Sequence, residues 1–436
     1  MNRTVESGRT LLVDGPASVE VVSGKAEAFG FMLSSAEKIV VREGKRLPFA
    51  VEKTATFKIL LGENASIEEV EENTIPPSWR KAREELLSHR TKPVTSMMLG
   101  AVDSGKTSFC TYLINELLHA KQKVAVLDAD MGQSDIGPPC TIGYAFVEKP
   151  VTDLFDLKAE NAYFVGVTSP SKTVDKVIEG LTSLEKEILS DRPDFVAVNT
   201  DGWVEGKEAV SYKVKLVEHL NPNIVFCIQK REGMAPIFNS LEKFRKIIVD
   251  SPSVIRHRSR EKRKSLRELG YAKYLRNAKV RCLPLNWLQI EENELIGIGG
   301  KRGSAENARK IYELLGIKPL CFTELRDRIC VVISKNRWIE TENIRKVEKL
   351  TKKNVVIIRK GEEQGLLVSL HDAEKRFLGI GVLREIDYMR NTIKVYTPVS
   401  EEVSVVAIGR VKIDKDLREI TPFADEDEQS FTTFKS

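Results

Sequence analysis

The strongest chemical signal in the chain is Gly100-Ala-Val-Asp103-Ser104-Gly105-Lys106-Thr107. It fits G-x-x-x-x-G-K-[ST] at every defined position, between an apolar run that reads as a strand and a pattern that reads as a helix. The two glycines let backbone N–H groups wrap a phosphate chain, and the N-terminus of the following helix adds a favourable dipole. Lys106 is spaced to reach the β- and γ-phosphates, and Thr107 to ligate Mg²⁺ through its hydroxyl. Asp103, Ser104, Gly105 and Ser108 complete the nucleotide contacts.

A second constellation follows the apolar run Val124-Ala-Val-Leu127, which ends in Asp128-Ala-Asp130-Met-Gly-Gln133. In open α/β sheets the functional crevice lies at the carboxyl ends of the strands, so these carboxylates emerge beside the phosphate loop. One of Asp128 and Asp130 can hold Mg²⁺, directly or through water, and one can accept a proton from an attacking hydroxyl. The plainer alternative for either residue is a turn or helix cap. The base of the nucleotide is not fixed by these residues. Gln229-Lys230-Arg231-Glu232 only loosely echoes the N-K-x-D signature that reads guanine, and both specificity residues differ, which favours ATP.

Three further segments bear on what accepts the phosphate. Asn199-Thr-Asp-Gly202-Trp203-Val-Glu-Gly206 places a tryptophan in a polar, glycine-flanked loop past a strand end. Such a ring suits stacking on a base, or anchors its own loop. Thr168-Ser169-Pro170-Ser-Lys172 offers hydroxyls and one ammonium to phosphate or sugar, although Ser-Pro turns are common. Arg256-His-Arg-Ser-Arg260-Glu-Lys-Arg263-Lys-Ser-Leu-Arg267, if helical, sets Arg256, Arg260, Arg263 and Arg267 on one face. It reads as a lid that neutralises charge on a transferring phosphoryl group, or as a solvated surface helix.

These loops need elements to hold them. Leu11 to about Leu61 is a series of short alternating runs broken by Gly15-Pro16, Gly24 and Gly44, which predicts a small β-domain. Ile75-Pro76-Pro77 then leads into a helix-like stretch, Ser78–Leu87. Beyond Pro93 the runs Val94–Leu99, Val124–Leu127, Ala162–Val167, Phe195–Val198 and Ile224–Ile228 alternate with helical patterns at Thr107–Ala120, Thr173–Leu189 and Ser211–Leu220. That alternation predicts βαβ units and a parallel sheet covered on both faces. From about Cys321 a second β-rich texture begins, and the tail Ala424-Asp-Glu-Asp-Glu-Gln-Ser is acidic, polar and expected to fray. The expected architecture is α/β: an N-terminal β-domain over 1–75, a P-loop domain over 76–318 with an arginine-rich lid at about 256–279, and a C-terminal β-rich domain over 319–436.

The bulk properties fit a globular protein of 436 residues, 42% hydrophobic and 30% charged, with a net charge of only +5. So small a surplus argues against a protein that coats nucleic acid, and requires any anionic partner to be met by a local cluster such as the arginine-rich segment. The six cysteines and five histidines are scattered without zinc, redox or triad spacing. No apolar stretch reaches the ~20 residues of a membrane helix, so a soluble, cytoplasmic protein is expected.

Taken in order, the motifs resemble the polynucleotide 5′-hydroxyl kinases, a family that includes the RNA-kinase subunit of the pre-mRNA cleavage factor, its archaeal relatives and the nucleolar pre-rRNA-processing kinase. The resemblance runs from Ser23-Gly-Lys-Ala-Glu27-Ala-Phe29-Gly30 through the phosphate loop, Asp130-x-Gly132-Gln133, Thr168-Ser169-Pro170 and Asn199-Thr-x-Gly202-Trp203 to the arginine-rich lid. It implies ATP and Mg²⁺ as cofactors and the 5′-hydroxyl end of RNA or DNA as substrate, with RNA-processing proteins as partners. It makes Lys106 the phosphate-binding lysine and Asp130 the carboxylate that activates the 5′-hydroxyl, with Gln133 beside it. Thr168 and Trp203 become a clasp on the terminal nucleotide, Arg263 and Arg267 the lid arginines, and the N-terminal domain, with Glu27, a support for adenine. Thr173 and Ala272 depart from the pattern, where the clasp often has Asn and the lid a further arginine. Outside this family, the same residues leave room for a Mg²⁺-dependent ATPase or GTPase of assembly or metal insertion, or a nucleotide-bound scaffold.

Overall fold

The computed structural model describes residues 1–229, 232–291, 305–324 and 328–420. Lys230, Arg231 and the acidic tail lie outside the described residues. The chain forms two compact units, Met1–Gly270 and Tyr271–Ser436.

The first unit begins with seven strands: β1 (Asn2–Val5), β2 (Thr10–Asp14), β3 (Ala17–Ala28), β4 (Phe31–Leu33), β5 (Lys38–Val41), β6 (Arg46–Leu61) and β7 (Ser66–Val70). They form one sheet in the order β4-β3-β6-β2-β7, with β1 on β6 and β5 on β3. The alternation read from the sequence is the cause. Ala55, Phe57 and Ile59 of β6 face inward and are buried, while Thr56, Lys58 and Leu60 between them are not.

Helix α1 (Pro77–Ser88), with prolines at its start, leads into β8 (Val94–Gly100), α2 (Lys106–His119) and β9 (Val124–Ala129). There follow β10 (Thr141–Val147), β11 (Asn161–Phe164), α3 (Val174–Ser190), β12 (Phe195–Thr200), α4 (Lys207–Leu220), β13 (Ile224–Gln229), α5 (Ala235–Ser240), β14 (Lys246–Asp250) and α6 (Arg260–Tyr274). The sheet runs β11-β10-β9-β12-β8-β13-β14. Its strands read as unbroken apolar runs because both faces are covered. Met98, Val126, Ala197 and Phe226 pack with Phe109 and Leu113 of α2, whereas Met97, Leu127, Val198 and Cys227 pack with Leu181 of α3 and Leu216 of α4.

Two features differ from the sequence expectation. The sheet is not wholly parallel: β10, absent from the pattern read above, pairs antiparallel with both β9 and β11. The double reversal returns β11 to the direction of β9, so the loop after it still opens at the functional edge. The arginine-rich segment is helical only from Arg260. Ser259 caps that helix, its Oγ accepting from the Lys262 N–H at 3.1 Å, and Arg256 therefore precedes the helix and does not share its face.

In the second unit, β15 (Lys279–Pro284) and β16 (Gln289–Glu291) are followed by α7 (Ala305–Leu315), β17 (Cys321–Glu324), β18 (Arg328–Ile333), α8 (Thr341–Thr351) and β19 (Asn354–Arg359). Then come β20 (Leu366–His371), β21 (Phe377–Asp387), β22 (Thr392–Thr397), β23 (Val405–Ile413) and β24 (Glu419–Ile420). One sheet is ordered β15-β22-β21-β20-β23-β16, with β24 on β23, and a smaller one β17-β18-β19. Cys110, Cys140, Cys227 and Cys330 are small buried side chains. Among the described residues, no helix is long and apolar enough to cross a membrane.

Candidate active site

The carboxyl edge of the β8–β14 sheet opens into a cavity of about 340 Å³. Of the site residues read from the sequence, all line it except Gly100, Glu27, Asp128, Lys172 and Arg260. The phosphate loop crosses from β8 to α2 and turns at Gly105, whose φ of 95° is in the left-handed region that glycine adopts without strain. Lys106 opens the helix and folds back over the loop. Its buried ammonium donates to the carbonyls of Gly100 (2.9 Å) and Ala101 (2.8 Å). Burial lowers its pKa to about 8, against the attraction of Asp130. Ser104 Oγ is buried without a hydrogen-bond partner, so the loop keeps a polar atom available.

Asp128, near the end of β9, and Asp130, just past it, stand in different surroundings. Asp128 is fully buried behind the cavity wall. Its Oδ2 accepts the N–H groups of Asp135 (2.7 Å) and Ile136 (3.1 Å), and its Oδ1 accepts from Asn199 Nδ2 (3.0 Å). It shapes the loop, the capping role that was its plainer reading, and with these donors occupying its oxygens it does not face the cavity. Asp130 does face it, with Oδ1 accepting from the Gln133 N–H at 2.9 Å. Burial raises Asp128 to about 7, with Asp135 and Asp130 adding to it; burial and Asp201 raise Asp130 to about 6 against Lys106. A carboxylate so destabilised as an anion is a better proton acceptor than one in water.

Residues at the metal position fit a cation that keeps most of its water. Thr107 Oγ1 lies 3.5 Å from Asn199 Nδ2, which also reaches Asp128, and Asn199 Oδ1 is buried with no partner. Thr107 and Asp130 both line the cavity, and their oxygens suit a magnesium ion held chiefly by phosphates and water, while Asn199 lies behind them, outside the lining. Among the described residues, no group of three or more His, Cys, Asp or Glu could form an all-protein metal site.

Two further loops reach the cavity, and the Thr168 carbonyl of one packs against Gly132 beside Asp130. Gly202 lies against the phosphate loop so closely that a Cβ there would come within 2.5 Å of Val102 Cγ2, and this approach brings Trp203 to the cavity. The indole stacks on Tyr212, with centroids 5.6 Å apart and planes at 30°. The ring thus anchors its loop and lines the cavity at once. Thr168, Ser169 and Pro170 line the adjoining wall. Thr173 caps α3 without a side-chain bond and leaves Oγ1 buried and unpartnered.

The arginine-rich segment borders the remaining side. Asp103 Oδ2 accepts from the Arg258 N–H (3.0 Å) and from the Arg263 guanidinium (3.3 Å), and Arg263 also donates to the Arg258 carbonyl. Gln133 Nε2 reaches the Arg263 carbonyl at 3.1 Å, and an Arg267 nitrogen lies 3.5 Å from the Gly132 carbonyl. The β5–β6 turn meets the lid from the other side: Arg258 Nε donates to the Gly44 carbonyl at 3.1 Å, and Lys262 pairs with Glu43.

Beneath this turn lies a clamp that the sequence pattern does not reveal. Arg42 and Lys45 meet Asp135 and Asp153 in a buried cluster, with Arg42 Nε 2.5 Å and Lys45 Nζ 3.4 Å from Asp153. The charges flanking Gly44 were a local signal, but their partners lie far away in the chain. Glu27 stands outside the cavity; its Oε1 accepts the Gly30 N–H at 2.9 Å and holds the turn that brings Phe29 to the wall.

The chain is similar to known proteins in sequence and in fold. Residues 100–277 match the family model described as mRNA cleavage and polyadenylation factor CLP1 P-loop. A polyribonucleotide 5′-hydroxyl-kinase of Methanocaldococcus jannaschii is 29% identical over 76% of this chain and 90% of its own. One from Pyrococcus furiosus is 31% identical over 79% of this chain and 95% of its own. The structure of a wild-type Clp1p–Pcf11p complex shares the fold, with a TM-score of 0.65 and 13% identity over 94% of this chain and 97% of that one. The chain belongs to the family of polyribonucleotide 5′-hydroxyl-kinases, which are phosphotransferases.

Proposed function

We propose that the cavity transfers the γ-phosphoryl group of ATP to the 5′-hydroxyl of an RNA end. The observation that carries this reading is the convergence of Lys106, Asp130, Trp203 and the lid arginines Arg263 and Arg267 on one cavity. The phosphate loop and Lys106 hold the β- and γ-phosphates. Asp130 takes the proton of the 5′-hydroxyl as its oxygen attacks the γ-phosphorus in line with the departing β–γ bridge oxygen, giving ADP and a 5′-phosphate end. Arg263 and Arg267 offset the charge that develops on the transferring group. Thr107 and Asp130 would hold Mg²⁺, with Asp128 and Asn199 behind them, and the ion would supply further positive charge at the phosphates.

Trp203 and the Thr168–Pro170 loop grip the terminal nucleotide by stacking and backbone contact, which tolerates sequence. The cavity-lining residues between Phe29 and Arg267 carry the reaction in this reading, with Phe29 and its neighbours on the adenine side. A DNA end with a 5′-hydroxyl is a second substrate to compare. RNA-processing proteins are proposed as partners and the cytoplasm as the compartment. The test is incubation with γ-labelled ATP and 5′-hydroxyl oligonucleotides. Label should appear on the oligonucleotide; ATP hydrolysis without label transfer would refute the kinase reading.

A further inference from the structure

Asp201 belongs to none of the motif positions described above, yet it sits at the base of the Trp203 loop and lines the cavity. Its Oδ1 accepts the Trp203 N–H at 2.9 Å. Its Oδ2 accepts the Tyr212 hydroxyl at 2.8 Å and the Lys213 ammonium at 2.9 Å, and the same ammonium donates to the Asp201 carbonyl at 2.9 Å. Tyr212 and Lys213 are adjacent on α4 and almost wholly buried, at 1% and 0% exposure. Tyr212 in turn is the ring on which Trp203 stacks. A charged lysine with no exposure is costly unless paired and fully hydrogen-bonded, and here its partner is the residue that also fixes the indole's backbone and platform.

We propose that Asp201, acting through Tyr212 and Lys213, is a positioning residue for substrate recognition: it locks the Trp203 indole so that one face is taken by Tyr212 and the ring is held ready for the terminal base. The inference rests on the kinase reading and adds to it which residues determine selection of the 5′-terminal nucleoside. The residue type follows from the donors. Trp203 N–H, Tyr212 O–H and Lys213 N–H converge on one side chain, and only a carboxylate accepts from all three while neutralising the lysine. Asparagine turns one of the two accepting oxygens into a donor and offers Lys213 no charge.

The role can be separated from a purely structural one by asking whether the enzyme still senses the base. Two 5′-hydroxyl oligonucleotides of equal length are compared, one intact and one abasic at its first nucleotide, with KM and kcat measured for each. In the wild type, loss of the base should raise the oligonucleotide KM roughly 10-fold or more, the range expected for a lost stacking contact. In Asp201→Asn and in Tyr212→Leu the intact substrate should already bind weakly, so that the same deletion costs less than about 3-fold. The KM for ATP should stay at the wild-type value in both. Should Asp201→Asn fail to fold because Lys213 is left uncompensated, the double variant Asp201→Asn/Lys213→Met removes both buried charges and should show the same blunted response. Variants that retain the wild-type discrimination, or that lose ATP and oligonucleotide affinity in parallel, would overturn the inference alone. A wild type that phosphorylates neither oligonucleotide would overturn the kinase reading and the inference together.

Discussion

The carboxylate of Asp103 in the phosphate loop and the guanidinium of Arg263 in the lid helix are joined at 3.3 Å, and the same carboxylate holds the Arg258 N–H. Asp103 occupies the left-handed region at φ 54°, which places its side chain in the loop that would enclose the phosphates. The loop that binds nucleotide is thereby also the anchor of the lid. Asp103→Asn suits the same backbone conformation but surrenders the ion pair. Trypsin should then cleave the 256–267 segment several-fold faster than in the wild type, because local opening costs less. An unchanged cleavage rate would show that Lys262 and Arg258 suffice to hold the lid on the β5–β6 turn.

Arg263 and Arg267 are expected to act in the transition state more than in binding. Replacing either with alanine should lower kcat by about 10²-fold or more while the KM for ATP changes little, the pattern of a lost electrostatic contact to developing charge. Lysine should restore only part of the rate, since an ammonium does not reproduce the planar fork of a guanidinium. A variant with raised KM and normal kcat would place these arginines in ground-state binding instead.

The buried clamp of Arg42, Lys45, Asp135 and Asp153 makes a prediction about stability. Burial pushes the Asp153 carboxyl upward, but Lys45 and Arg42 outweigh it and hold the group well below the usual carboxylate range. A group depressed in the folded state stabilises the protein fully above its unfolded pKa of about 3.9, and that contribution is lost as pH falls through the folded value. Arg42→Ala, which leaves two buried carboxylates facing only Lys45, should cost about 3–5 kcal/mol at neutral pH. The gap in melting temperature between variant and wild type should narrow as the pH is taken below about 4.

Removal of divalent cations offers a separate check on the Thr107 side of the cavity. Chelation should abolish label transfer, and added Mg²⁺ should restore it. Thr107→Ala should raise the Mg²⁺ concentration needed for half-maximal rate while the fold is retained, since this hydroxyl lies at the start of α2 and holds no core contact comparable to Phe109. Equal Mg²⁺ dependence in the two proteins would remove Thr107 from the metal.

Much of this site was legible in the sequence because its parts are local. The phosphate loop, Asp130 with Gln133, and Trp203 with Gly202 are each contiguous, and each follows a strand whose apolar run shows where the sheet's carboxyl edge lies. What escaped was contact at long range. Asp201 stands within the Trp203 loop, but its partners Tyr212 and Lys213 lie 11 and 12 positions on, inside α4, and a lysine in a helical pattern reads as solvated until it is found with no exposure. Arg42 and Asp153 are 111 positions apart. Strand β10 was missed because its apolar run follows Pro138-Pro139 without the helix that separates parallel strands, and such runs read equally as buried loop. Asp128 and Asp130 are alike in sequence and two residues apart; only the turn back to Asp135 and Ile136 separates the one that shapes the loop from the one that faces the cavity.

The proposed mechanism has Asp130 accept the proton of a nucleic-acid 5′-hydroxyl while ATP is held by the loop around Lys106. It is tested most directly by single-turnover transfer from γ-labelled ATP to a 5′-hydroxyl RNA oligonucleotide, with wild type and Asp130→Asn compared at equal ATP occupancy. The wild type should place label on the 5′ end, and Asp130→Asn should bind ATP as well but transfer slower by about 10²-fold or more. Label transfer by Asp130→Asn at the wild-type rate, or wild-type enzyme that consumes ATP and leaves the RNA end unlabelled, would contradict it.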